Sequence, residues 1–319
     1  MTPQSRINEI DKVEILTLQD NYIDLTAADN NKIVKRALPL RDGQFRKSVL
    51  SEHGFSALVQ TTSGNSTHTV LFDTGFSEIG AVYNANALEV NLSSIEAIAL
   101  SHGHVDHTGG FASMAAAIPR KGIPVVVHPA IFRSPRYLKA KENLNVILSS
   151  LTREQIEVAG MKLVETRTPL VLPGGDILFL GEIPRRTDFE KGLPSAHYRE
   201  GGVEKWDPIE DDTSLVMNLR GKGLIILSGC AHSGIVNTVR YAKEITGVGA
   251  VHAVMGGFHL GGPLFEPIIE KTTEELKKAD PTYIIPTHCT GRKAIAHMEK
   301  EMPDRFILNM SGTRLTFAA

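Results

Sequence analysis

His102-Gly103-His104-Val105-Asp106-His107 places three imidazoles and one carboxylate within six residues, directly after the apolar run Ala97–Leu100. Imidazole nitrogens and carboxylate oxygens suit zinc, manganese or iron, and two such ions can share a hydroxide. On an extended segment His102 and His104 point to the same side. Asp106 and His107 follow where the chain turns, and project to an adjacent point. That geometry fits two neighbouring metal positions better than one. A catalytic metal takes about three protein ligands, so distant residues must complete both shells.

Other histidines stand at strand-like ends or in Gly-rich turns. His232 lies in Ser228-Gly229-Cys230-Ala231-His232-Ser233-Gly234, His259 in Gly256-Gly257-Phe258-His259-Leu260, and His288 in Pro286-Thr287-His288-Cys289-Thr290-Gly291. A lone histidine is more often a core residue than a ligand. Recurrence at the same kind of position argues for His232 and His288 as ligands, whereas His128 reads as a packing or helix-capping residue. Asp73, in Phe72-Asp73-Thr74-Gly75, makes a turn, holds a metal-bound histidine through its second ring nitrogen, or does both. Asp212, in Glu210-Asp211-Asp212, is either part of a solvated turn or a carboxylate bridging two metals.

The elements that must position these residues alternate from end to end. Val13–Leu18, Ser56–Gln60, Thr69–Phe72, Ala97–Leu100 and Pro124–Val127 read as strands, and Gly110–Ile118 as a helix. Ser214–Leu219 and Leu224–Leu227 flank Arg220-Gly221-Lys222-Gly223 as a hairpin. Ile235–Ile245, Glu266–Ala279 and Arg292–Glu301 read as helices, with Ala250–Val254 and Tyr283–Pro286 as strands between them. The expectation is an α/β chain forming one domain over 1–319, a four-layer αββα sandwich. The proline-rich stretch of about 130–210 is expected to be an inserted, cap-like region shaping the pocket.

Composition narrows the function classes. A chain of 319 residues, 42% apolar, can bury a full core. Its net charge of −2 argues against a general nucleic-acid or anionic-membrane binder. No stretch approaches the roughly 18 apolar residues of a membrane span. Met1–Arg6 lack the apolar segment of a signal peptide, and two cysteines fit a reducing compartment, so a cytoplasmic protein is expected.

Asp73-Thr74-Gly75, His102-x-His104-x-Asp106-His107 and the distal His232 and His288 together resemble the metallo-β-lactamase superfamily. The resemblance spans most of the chain and implies the αββα fold with a dinuclear metal site at the sheet edges. Glu52-His53-Gly54-Phe55-Ser56, Gly181-Glu182-Ile183-Pro184-Arg185, Gly229–Asn237, Gly257-Phe258-His259-Leu260 and His288-Cys289-Thr290-Gly291 resemble one branch of it. That branch is the 7,8-dihydropterin-6-methyl-4-(β-D-ribofuranosyl)aminobenzene-5′-phosphate synthase-like proteins.

Two departures stand out. The superfamily's hairpin usually ends in Ser-Gly-Asp, whose aspartate bridges the metals, but here it ends Ser228-Gly229-Cys230. A Cys230 thiolate can bridge instead, His232 can supply the contact, or Cys230 is an ordinary buried thiol. The usual mid-chain histidine also lacks a counterpart, and Asp211-Asp212 occupies roughly its place.

The resemblance and the residues together imply a hydrolase or transferase using a metal-activated hydroxide on a small phosphorylated or pterin-like substrate. Two divalent ions are expected, zinc first, with manganese and iron also suited. Asp106 orients the nucleophile, His259 serves as general acid and substrate contact, and Arg185 with Arg186 meets the substrate's anion. Neither nucleic acid nor membrane is an expected partner, and a homo-oligomer is compatible with the composition. One competing reading is a metabolite-binding or regulatory protein that keeps the metal site. Another is a di-iron oxidoreductase, against which stand Gly103, where flavodi-iron proteins have glutamate, and the lack of a flavodoxin-like extension.

Overall fold

The computed structural model describes residues 7–141 and 144–319; Met1–Arg6, where a leader segment was sought, lie outside them. Two large sheets face each other. One has eight strands, in the order Lys162–Glu165, Pro124–Val127, Ala97–Ala99, Ser66–Phe72, Ser56–Ser63, Lys12–Gln19, Arg314–Ala318 and Val34–Lys35. The other runs Leu170–Val171, Ile177–Phe179, Ser214–Leu219, Gly223–Ser228, Val251–Gly257 and Tyr283–Thr287, with Glu9–Ile10 pairing beside Ser214–Leu219.

Period-two alternation sorts the side chains into layers. Phe72, Ala97, Ala99 and Val126 pack between the sheets against Phe179, Leu215, Met217, Ile225, Leu227, Ala253 and Met255. Their neighbours Leu71, Ile98, Val125 and Val127 face outward, onto Phe111 and Met114 of the helix Phe111–Ala117 and Ile156 of the helix Arg153–Val158. On the far side Leu224, Ile226 and Val254 meet Val239 and Ala242 of Ile235–Thr246, Leu276 of Ile269–Ala279 and Met298 of Arg292–Glu301. Helix, sheet, sheet, helix is the layering expected from the sequence.

Several boundaries shift. The Glu266–Ala279 helix is a 3-10 turn, Glu266–Ile268, running into the α-helix Ile269–Ala279. A helix at Gly80–Ala87 has no amphipathic stripe to announce it. It is anchored by Asn84, which is buried, donates to the carbonyls of Leu18 and Leu50, and accepts the Leu50 amide. Within 130–210, Arg136–Lys141, Leu144–Leu148, Ala196–Glu200 and Val203–Trp206 form a separate four-stranded sheet. The strands at 162–179 belong instead to the two large sheets. Among the described residues no helix is long and apolar enough to cross a membrane.

Phe179 is fully buried in the inter-sheet layer, so Phe179→Ala is expected to cost about 3–5 kcal/mol in denaturant unfolding. A loss below about 1 kcal/mol would contradict a close-packed interface there.

Candidate metal centre

Strands joined through helical crossovers run parallel, so their C-terminal ends collect at one edge. Asp73 follows Ser66–Phe72, and Ser101–His107 follow Ala97–Ala99. From the facing sheet, Cys230 and His232 follow Gly223–Ser228, His259 follows Val251–Gly257, and His288 and Cys289 follow Tyr283–Thr287.

Donor atoms gather in three groups, within each of which they lie no more than 4.8 Å apart. His102, His104 and His232 form the first, Asp106, His107, Cys230 and His288 the second, and Cys230, His259 and Cys289 the third. The first two share a wall: the His102 ring lies 4.3 Å from that of His107 and 4.8 Å from that of His232. The structure thus brings together all six residues read as ligands, with Cys230 joining the second group.

The first group fits a divalent ion. His102 Nε2 and both ring nitrogens of His232 are buried without a hydrogen-bond partner, a costly state unless something else takes their lone pairs. Burial lowers the pKa of all three imidazoles, that of His104 to about 4, which keeps them in the neutral form that ligates.

The second group is charged. Burial opposes ionisation of Asp106, but His107 and His288 outweigh it and hold the carboxyl well below the usual range. Burial likewise disfavours a charged His107, yet Asp73 and Asp106 carry its pKa up to about 9. Burial pushes the Cys230 thiol well above its ordinary value, and its Sγ lies 3.0 Å from His107 Nε2.

A surrounding set of side chains fixes these donors. Asp73 accepts from the Ser101 amide, the Ser101 hydroxyl and His107 Nδ1, each at 2.7 Å, so it supports a donor histidine rather than joining a donor group. Asp211 accepts the Gly103 amide at 2.8 Å and the guanidinium of the buried Arg136. The His288 amide donates to Asp20 at 2.9 Å, and its Nδ1 lies 3.0 Å from Asn21 Oδ1. His53 packs its ring 4.6 Å from that of His288 and brings Nε2 to 3.7 Å from Asp106.

Asp212 lies outside the donor groups; its Oδ2 accepts the Ser233 amide, and burial raises its pKa to about 6. His128 caps the turn Pro129–Phe132 by accepting the Ala130 amide. Arg185 donates to the carbonyls of Pro208 and His232, and Arg186 pairs with Glu244 at the surface. The sequence alone assigned no role to Asp20, Asn21, His53, Ser101 or Arg136. For Asp20 and Asn21 the usable signal was a polar pair directly following the strand Lys12–Gln19.

A family model described as the metallo-beta-lactamase superfamily matches residues 52–243. The chain belongs to that superfamily. A Methanocaldococcus jannaschii protein named 7,8-dihydropterin-6-methyl-4-(beta-D-ribofuranosyl)-aminobenzene-5′-phosphate synthase is 34% identical over 303 residues, 94% of this chain and 95% of its own length. An uncharacterized protein of the same organism is 28% identical over 265 residues, 82% of this chain and 93% of its own. The crystal structure of a metal-dependent hydrolase of the beta-lactamase superfamily shares the fold, with TM-score 0.72, 24% identity and coverage of 96% of this chain and 100% of that one. The superfamily fold implies divalent metal binding, and the first two donor groups are its candidate ligands.

The raised pKa sets a pH dependence. In the metal-free protein, charged His107 contributes stability fully below its ordinary pKa of 6.5, and that is lost as pH rises through about 9. A ligated His107 must give up that proton, so zinc affinity is expected to rise at least ~tenfold per pH unit from about pH 7 to 9, read by competition with a chelating dye. Affinity flat over that range would exclude the His107 imidazole as a donor. Asp73→Asn is expected to weaken zinc binding about 10–100-fold; unchanged affinity would remove Asp73 from any supporting role.

Proposed function

We propose that this protein is a metal-dependent hydrolase or group-transfer enzyme holding two divalent ions, zinc first, and acting on a small phosphorylated or pterin-like molecule in the cytoplasm. The observation that carries this reading is the pair of donor groups sharing a wall, His102/His104/His232 beside Asp106/His107/Cys230/His288. The name of the Methanocaldococcus jannaschii relative supports the substrate class. When bound, two divalent ions acidify a water and neutralise charge on an attacked phosphoryl or carbonyl oxygen.

The chain's own residues supply the rest. Asp106, held ionised beside His107 and His288, orients the proton of the nucleophile. His259 stands with its ring 4.1 Å from that of His232 and lines a pocket of about 210 Å³ with Phe189, Phe258, Leu264 and Phe265. That apolar lining suits a planar ring, and His259 meets the substrate there. Lys191 at the same pocket offers a cation to a phosphate, while Arg185 holds the His232 loop through its carbonyl.

The test is turnover of bis(p-nitrophenyl) phosphate and of a panel of pterin phosphates. Chelation is expected to abolish activity and added zinc to restore it. His104→Ala is expected to lower activity by at least ~100-fold, beyond what loss of a supporting residue costs, with an unchanged circular dichroism spectrum. Tight metabolite binding without metal-dependent turnover on any substrate would make the protein a binder and overturn the enzymatic reading.

A further inference from the structure

The chain has two cysteines, 59 positions apart, and the fold brings them to one point. Cys230 Sγ, Cys289 Sγ and a ring nitrogen of His259 lie within 4.8 Å of one another, each supplied by a different strand end. The two-ion centre uses Cys230 at most and leaves Cys289 without a role.

The convergence is built into the backbone. Gly257 leaves the space that Cys289 enters: a Cβ there would stand 2.6 Å from Cys289 Sγ and 2.5 Å from the Gly229 carbonyl oxygen. Ala231, His259 and His288 adopt φ of 52°, 47° and 44°, the left-handed region that non-glycine residues seldom occupy and that concentrates at functional sites. His259 Nδ1 is buried without a hydrogen-bond partner. Cys289 Sγ makes a long contact, 3.6 Å, to the Cys230 carbonyl and lies against the side chains of Cys230 and His259.

We propose that Cys230, His259 and Cys289 form a thiolate–imidazole–thiolate site for a thiophilic ion of the Zn(II), Cd(II) or Cu(I) type. The site is distinct from the His102/His104/His232 group and joins the Asp106/His107/His288 group through the shared sulfur of Cys230. Two sulfurs and one imidazole select soft and borderline ions over the oxygen-preferring ones. Three protein donors leave a fourth position free, as in zinc sites that bind a further ligand. Occupation displaces any proton carried by either sulfur and involves no change in oxidation state.

The proposal shares Cys230 with the two-ion reading but does not require it. Its test is titration of reduced, metal-free, full-length protein with Cd(II), following thiolate-to-cadmium absorption and the ions retained per chain after desalting. Wild-type protein is expected to show absorption from both thiolates. Cys289→Ser is expected to halve it and to lose one ion. His259→Ala, a second variant that spares both sulfurs, is expected to lose the same ion with its circular dichroism unchanged. His104→Ala should keep the full thiolate absorption, which separates failure of this site from failure of the first histidine group. Unchanged absorption and stoichiometry in Cys289→Ser would overturn the proposal. So would halved absorption with no ion lost, which would put Cys289 on the same ion as Asp106 and His107.

Discussion

Asp73 is the constraint on which the site depends. It is fully buried, sits at the end of Ser66–Phe72 with φ of 59°, and accepts three hydrogen bonds from Ser101 and His107. Those bonds tie the end of one strand to the loop that carries four donor residues. The facing sheet meets the same point. A Cβ on Gly229 would lie 2.2 Å from Ser101 Oγ and 3.0 Å from Asp73 Oδ2, so only glycine lets that strand end close over the loop. Cys230 follows directly, and its Sγ lies 3.0 Å from Nε2, the ring nitrogen of His107 that Asp73 does not hold. One imidazole is thereby held between a carboxylate from the first sheet and a thiol from the second.

A second clamp acts from outside the sandwich. Arg136, on the small four-stranded sheet, is buried and pairs with Asp207 and Asp211. Asp211 accepts the Gly103 amide, between His102 and His104 of the first donor group. Gly103 has no room for a side chain, since a Cβ would come 2.5 Å from Arg136 Nη1. Removing one partner of such a buried pair leaves a charge uncompensated, at about 3–5 kcal/mol. Through Arg136 and Asp211 the small sheet thereby fixes the backbone of the His102–His104 segment.

The sequence carried the chemistry more legibly than its supports. His102 to His107 could be read because so dense a run of donors directly after an apolar strand seldom arises except around a metal, and His232 and His288 because they repeat that position. The layering was legible because parallel strands buried on both faces give short apolar runs separated by amphipathic helices, as at Gly223–Ser228 and Ile235–Thr246. What escaped depends on partners far away in sequence. Asp20 acts on His288 across 268 positions, and Arg136 acts on Asp211 across 75; nothing local distinguishes either from an ordinary surface charge. The Gly80–Ala87 helix was hidden because a buried Asn84 anchors it instead of an apolar stripe. The meeting of Cys230 with Cys289 follows from strand order, which the run of residues does not reveal.

Membership of the metallo-β-lactamase superfamily accounts for the fold and implies divalent metal binding. Cys230 adds a soft donor to a group otherwise made of imidazole and carboxylate. The central claim is that two ions sit side by side across the shared wall of the first two donor groups. Anomalous diffraction at the zinc edge, on crystals of protein purified without chelator, tests it most directly. Peaks are predicted at both places, one among His102, His104 and His232 and one among Asp106, His107 and His288, apart from any at Cys289. A single peak, or a peak at Asp212 away from these histidines, would contradict it.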